Sequence, residues 1–193
     1  MSLKVTPSFL STGGKENVAP QQTLLPERLS WTVSGVIELA PPAMTDDIAR
    51  LRAHMARRVT RPGDDLLLIG RRDLRCSNSF MHNLPALVKG RDRCTLHVSR
   101  EDAGRMGLSD GNAARITSRV GSVVAPVEVT ADLMPGVVSL PHGWGHDVEE
   151  TQLTVAKAHA GVNTNVLTDN QAYDKASGTA VLFGTPVTVE PVG

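Results

Sequence analysis

Asp64-Asp65-Leu66-Leu67-Leu68-Ile69-Gly70-Arg71-Arg72-Asp73-Leu74-Arg75-Cys76-Ser77-Asn78-Ser79-Phe80-Met81-His82-Asn83 is the stretch from which the fold is read. An aliphatic run entered from two aspartates and stopped by a glycine predicts a buried β-strand over 66–69. Behind it the chain turns irregular and rich in hydrogen-bond donors. Arginine presents a planar fork suited to phosphate, while Ser77, Asn78, Ser79 and Asn83 can read the edge of a heterocycle. The arginines of this loop, with Ser77, Asn78, Ser79, His82 and Asn83, are candidate ligand contacts. The competing reading is a solvated turn whose arginines pair with carboxylates elsewhere.

Downstream, short strands alternate with turns, which predicts a mainly β fold with short helices, closed as a compact barrel over 63–193. Residues 84–90 read as a short helix with Asn83 as its cap. Residues 93–98 read as a strand with Leu96 facing opposite to Thr95 and His97. Ser99 with Asp102 three residues on begins a helix that Gly107 stops. Residues 115–120 and 122–129 form a hairpin around Gly121, with Pro126 hinting at an edge or bulge, and Pro135-Gly136 turns the chain into a strand over 137–140. A long loop then precedes a terminal strand over 179–189. No internal repeat is visible.

Upstream, residues 1–30 are rich in Pro, Gly, Ser, Thr and Gln without a period and read as a flexible leader. Residues 31–62 read as a lead-in: a short strand to Leu39, then a helix opening at Thr45 whose Ile48, Leu51, Met55 and Val59 make one apolar stripe for docking. Met1-Ser2-Leu3 reads as an appended start, so the chain is expected to be part of something longer.

Twenty basic and 20 acidic residues cancel, which removes any global pull toward nucleic acid or anionic membrane, so an anion site must be local. Aromatics at 3% are too sparse to stack single-stranded nucleic acid. No apolar run approaches the ~20 residues that span a bilayer, and no signal peptide is visible. Membrane insertion is not expected. Cys76 and Cys94 make neither a disulfide framework nor a zinc knuckle, and a reducing cytoplasm is the simplest setting. A G-x-S-x-G hydrolase elbow is missing.

Four segments in this order resemble the C-terminal molybdopterin-dinucleotide-binding domain of the dimethyl sulfoxide reductase and formate dehydrogenase superfamily. They are the strand with Gly70-Arg71-Arg72 and Ser77-Asn78-Ser79, and the run Gly107-Leu108-Ser109-Asp110-Gly111-Asn112 with its hairpin. The others are Pro135-Gly136-Val137-Val138-Ser139-Leu140-Pro141-His142-Gly143-Trp144, and Asn163-Thr164-Asn165-Val166-Leu167-Thr168 followed by Asp174 and Ser177-Gly178. The likeness covers roughly residues 64–191, and Ile37-Glu38-Leu39-Ala40-Pro41-Pro42 looks like the stretch that leads into this domain.

What the resemblance implies is a double-psi β-barrel that helps hold molybdopterin guanine dinucleotide, with molybdenum or tungsten, in a full-length oxidoreductase. Iron-sulfur clusters, the metal ligand and the substrate funnel would lie in absent domains, so the fragment alone would not turn over. Formate, or an oxygen-bearing nitrogen or sulfur compound, is the implied substrate class. The implied partners are the remaining domains of the parent and an electron-transfer subunit.

By the same resemblance Arg71, Arg75, Ser77 and Asn78 face the nucleotide and pyrophosphate, and Phe80 stands where many relatives carry Trp. His142 and Trp144 donate ring N–H groups near the pterin end, or pack against the missing catalytic domain. Zinc at His142 and His146 is disfavoured because Gly143 and Gly145 oppose a helix there. Asn163, Asn165 and Thr168 suit a pterin edge, against a reading as turn formers, and Asp169 or Asp174 would accept from an amine. Cys76 and Cys94 read as small buried residues, not as metal ligands. Two other readings remain: a non-catalytic barrel subunit or protein-interaction module, and a barrel of the aspartate decarboxylase kind, whose self-processing Gly-Ser site has no convincing counterpart here.

Overall fold

The computed structural model describes residues 2–3, 37–59, 66–174 and 177–193. The chain divides into two compact units, residues 1–61 and 62–193. In the second unit six strands close a barrel: β1 (Leu66–Arg71), β2 (Leu96–Ser99), β3 (Ala113–Thr117), β4 (Ser122–Thr130), β5 (Val137–Pro141) and β6 (Thr185–Pro191). Their order around the barrel is β1-β5-β2-β4-β3-β6, and β6 returns to β1. β1 runs parallel to β5 and β2 parallel to β4, while the other neighbours are antiparallel. Two parallel pairs inside one closed barrel are the double-psi arrangement.

Period-two alternation fills the interior. Leu66 and Leu68 of β1, Leu96 and Val98 of β2, Ile116 of β3, Val127 of β4, Val138 and Leu140 of β5, and Val187 and Val189 of β6 form one buried cluster. A barrel this narrow is packed by its own side chains, and the registered pair Ala114 and Ala125 sets small groups opposite each other.

One helix, Arg100–Met106, begins where the sequence places it: Ser99 Oγ accepts from the Asp102 amide at 3.1 Å, and Gly107 ends the helix in the left-handed region. Asp102, 2% exposed, does more than cap. Its Oδ2 accepts from Ser99 Oγ and from the Gly136 amide, both at 2.8 Å, and its Oδ1 accepts from Arg105 at 2.9 Å. This carboxylate therefore pins the turn before β5 onto the end of β2. Burial pushes its pKa up, but the Gly136 amide, Arg105 and Ser99 outweigh that and hold it below 3.8.

Four expectations need correction. The helix at Pro85–Val88 has Leu84, not Asn83, at its N-cap, because the proline starts it. β1 runs through Gly70 to Arg71 rather than ending at the glycine, since β5 continues to pair with it there. β6 starts only at Thr185, and the long loop before it holds a helix, Thr154–Ala158, and a 3₁₀ turn, Thr164–Leu167. In the first unit the helix splits into Pro42–Thr45 and Ile48–Val59, with Pro41-Pro42 starting the first piece early.

In that unit Ile37–Glu38 pairs antiparallel with Ser2–Leu3. Of the stripe expected to dock, Ile48, Leu51 and Met55 are exposed. Most of the expected leader, and the strand residues before Ile37, lie outside the described residues. Among the described residues no helix is long and apolar enough to cross a membrane.

Replacing Asp102 by alanine strands the Gly136 amide and the Ser99 hydroxyl, and should cost about 2–4 kcal/mol in urea unfolding. In the wild type the contribution of this depressed carboxyl is complete above pH 3.8 and is lost as pH falls through the lower folded value, so acid unfolding should start later than in D102A. An unchanged urea midpoint would refute the role.

Candidate functional site

The parallel pairing of β1 and β5 puts their carboxyl ends at one rim. Arg71 registers with Pro141, so Arg72 and His142 leave the barrel side by side. Open sheets place ligands beyond the carboxyl ends of parallel strands for the same reason: that is where the loops diverge. A cavity of about 270 Å³ opens at this rim, lined by Gly70, Arg72, His142, Asn165, Thr168 and Phe183 among others. It lies near the small end of the roughly 300–1,000 Å³ of ligand pockets, enough for one portion of a large ligand.

Asn78 organises the rim. Its Oδ1 accepts from Arg72 Nη1 at 2.9 Å and lies 3.0 Å from His142 Nε2, while His142 Nδ1 lies 3.1 Å from the Arg71 carbonyl. Ser77 and Asn78 adopt left-handed φ values of 42° and 62°, a conformation that costs most residues roughly 1–3 kcal/mol. Asparagine tolerates it better than serine. The turn pushes the Asn78 carbonyl against Gly143, where a Cβ would sit 1.9 Å from that oxygen, so His142 and Trp144 are separated by a residue that must be glycine. On the opposite wall the Phe183 ring crosses Gly70, at 2.9 Å from where a Cβ would stand.

Arg71 does not face this cavity with its guanidinium. Nη1 donates to the Ser139 carbonyl at 2.6 Å, and Nη2 donates to the Thr95 carbonyl at 2.8 Å, Thr95 Oγ1 at 3.0 Å and the Arg93 carbonyl at 3.2 Å. Arg71 is among the residues that line the cavity, but its guanidinium is committed as a rivet across the outer wall of β5 and the entry to β2. Because β1 extends to residue 71, alternation puts that side chain on the same face as Leu67 and Ile69, and Arg72 is the first residue free to turn to the rim. Burial lowers the Arg71 pKa, opposed chiefly by the Glu128 carboxylate. Glu128 in turn accepts from Thr95 Oγ1 at 2.8 Å and Arg91 at 3.0 Å, and lies 3.2 Å from His97 Nε2.

Other expected contacts are engaged elsewhere. Asn83 Oδ1 accepts from the amides of Val155 and Ala156, each at 3.1 Å, and so caps the helix Thr154–Ala158 from 72 residues away. Asn163 Oδ1 accepts from the Asn165 amide at 3.0 Å and starts the 3₁₀ turn. His82 is buried, stacked on Trp144 at 3.9 Å and 2.8 Å from His146 Nε2 through its Nδ1. Trp144 Nε1 is itself buried and without a partner among the described residues, so the ring N–H expected at the cofactor does not open onto the rim. Arg75 is exposed and does not line the cavity; its amide donates to Asp73 Oδ1 at 2.9 Å.

Arg119 grips both oxygens of Asp169 and drives its pKa down to about 2, while Asp174 accepts from Ser177. Neither aspartate is an idle acceptor. Cys76 and Cys94 are buried free thiols, their pKa values raised by burial, and Cys94 Sγ accepts from the Val162 amide at 3.3 Å.

Of the expected contacts, Asn78, His142, Asn165 and Thr168 thus meet at the rim. Arg72, Thr164 and Phe183 join them without having been singled out. The signal for Arg72 was available as the second arginine of the pair. The signal for Phe183 was Gly184, whose φ of 77° breaks the apparent terminal strand.

A family model described as "Molydopterin dinucleotide binding domain" matches residues 66–185. The A subunit of tetrathionate reductase from Salmonella typhimurium is 32% identical over 49% of this chain and 11% of its own length. The alpha subunit of F420-dependent formate dehydrogenase 2 from Methanococcus maripaludis is 35% identical over 60% of this chain and 15% of its own length. The chain thus spans a small fraction of the curated relatives it matches. The structure of acetylene hydratase from Pelobacter acetylenicus superposes with a TM-score of 0.56 at 18% identity, over 76% of this chain and 20% of that one, a likeness of fold.

Arg71→Ala strands three carbonyls and should lower stability by about 2–4 kcal/mol in urea unfolding. Arg71→Lys should recover only part of the loss, since an ammonium cannot span the same fork. Full stability in R71A would refute the rivet.

Proposed function

Because this chain belongs to the molybdopterin dinucleotide-binding domain family, we propose that the rim between β1 and β5 holds part of a molybdopterin guanine dinucleotide in a full-length oxidoreductase. One observation carries the reading: two parallel strands deliver Arg72 and His142 to the same mouth, opposite Asn165 and Thr168. The donor set suits such a ligand. A guanidinium answers phosphate, with the His142 ring held beside it; an amide and two hydroxyls, from Thr164 and Thr168, answer a heterocycle edge; Phe183 offers an aromatic face beside an apolar floor of Leu68 and Leu167.

When bound, the cofactor supplies the electron and oxygen-atom chemistry through its molybdenum or tungsten. The residues of this chain bind and orient. Arg72 is steadied by Asn78, so its charge is placed before the ligand arrives, and less ordering remains to be done on binding. His142 is held between Asn78 and the Arg71 carbonyl, which fixes its ring plane.

Catalysis and substrate choice belong, in this reading, to the rest of the parent chain, of which relatives such as the formate dehydrogenase have far more. That relative supports a formate dehydrogenase-like parent. The other domains are its partners, joined by an electron-transfer subunit, and iron-sulfur clusters lie outside this segment. A cytoplasmic setting is part of the same reading, supported by two buried thiols left unpaired.

Metal and pterin analysis of the purified full-length protein should give stoichiometric molybdenum or tungsten with about two pterins per chain. Absence of both would leave a barrel used for protein interaction. In that protein Arg72→Ala with His142→Ala should lower pterin content at least about tenfold, as loss of a charge-assisted contact and of the ring that lines the rim beside it predicts, with little change in melting temperature. Undiminished pterin in the double variant would reject this assignment of the rim.

A further inference from the structure

His82 and His146 face each other across 2.8 Å, Nδ1 to Nε2, the first buried and the second half-buried, and neither has a use in the cofactor reading above. His82 is 1% exposed, its Nε2 has no partner, and its other face is closed by the stacked Trp144 ring; His146 meets it edge-on at 5.0 Å. The pair is a joint between two loops. His82 ends the turn that carries Asn78, with its amide on the Ser79 carbonyl at 3.1 Å. His146 ends the loop that carries His142, anchored by its own amide and that of Gly145 on the Ala160 carbonyl at 3.1 and 2.8 Å. Those loops therefore meet at the rim through Asn78 and His142, and further in through the Trp144 stack and the histidine pair.

The rim contact and the histidine pair differ in what a proton does to them. With both rings neutral, one N–H lies between the facing nitrogens and the contact is a hydrogen bond. With both rings charged, each facing nitrogen carries a hydrogen, and two cations would share 2.8 Å of buried space, so the contact must open. The surroundings compensate only in part. Asp73 and the Gly143 backbone favour charge on His82 while Arg93 opposes it, and Asp147 is the carboxylate favouring charge on His146. Burial leads the causes that hold both histidines below the ordinary 6.5.

We propose that the His82–His146 pair is a proton-operated latch: closed when neutral, it fixes the Asn78 and His142 loops in register at the rim, and acid opens it and loosens the bound dinucleotide. The second half of this statement rests on the cofactor reading; the first does not. The sign follows from the proton count. The open state binds more protons, so opening gains about tenfold per extra proton for each pH unit between the ordinary imidazole value of 6.5 and the lower value of the closed pair, and nothing further below it.

The test uses the full-length protein, as wild type and as His146→Gln, whose amide keeps a donor near the old Nε2 without titrating. Hydrogen exchange of segments 76–83 and 141–146 in cofactor-free protein, corrected for intrinsic rates, should rise at least about tenfold more in wild type than in H146Q between pH 7 and pH 5. Pterin retained after dialysis over the same range should fall in wild type and stay nearly level in H146Q. Parallel exchange profiles in the two proteins overturn the latch. If H146Q is too loose to compare, His82→Gln is measured in its place, and an acid response equal to that of wild type overturns it equally. Acid-sensitive exchange with acid-insensitive pterin retention would leave the latch standing and overturn the placement of the cofactor at this rim.

Discussion

Two parallel strands cannot be joined by a tight turn, so the pairing of β1 with β5 obliges the chain to travel around most of the barrel between them. What that detour achieves is a shared rim. Arg72 and His142, distant in sequence, leave the barrel together because Arg71 and Pro141 are in register. The guanidinium of Arg71 then secures the arrangement from outside, spanning carbonyls of Ser139 in β5 and Thr95 before β2. Strand pairing fixes direction, the arginine fixes lateral position, and the cleft is what is left between the diverging ends.

Much of this was legible in the residues. Alternation exposed the barrel core, because inward positions such as Leu96, Val98, Val138 and Leu140 are apolar at period two. Ser99 and Asp102 announced their helix through local hydrogen-bonding chemistry, which depends on no distant partner. The closure order and the parallel pairs were not readable from pattern; they came from the family likeness, since strand propensity carries no information on which strand is the neighbour.

The expected contacts that the structure engages elsewhere have one thing in common. Arg71, Asn83 and Asn163 have the donors and acceptors of ligand contacts, yet each is occupied by backbone: carbonyls of β5 and the β2 entry, the amides of a remote helix, and the amide two residues on. A polar side chain read in isolation looks free, because a buried backbone group that claims it leaves no mark in the sequence nearby. Arg72 illustrates the converse. One extra residue of strand decides which of two adjacent arginines turns outward, and strand ends are set by the partner strand rather than by the glycine that seemed to mark them.

Asn83 gives the molecule a long-range dependence. The helix Thr154–Ala158 has five residues, far below the ~12–15 at which an isolated helix holds together in water, and the carboxamide that satisfies its first amides arrives from the far side of four intervening strands. It therefore has no existence before the barrel closes. That short helix is the last part of the domain to become ordered and the first to be surrendered, so a protease or a chaperone would sense incomplete folding there while the strands still read as native.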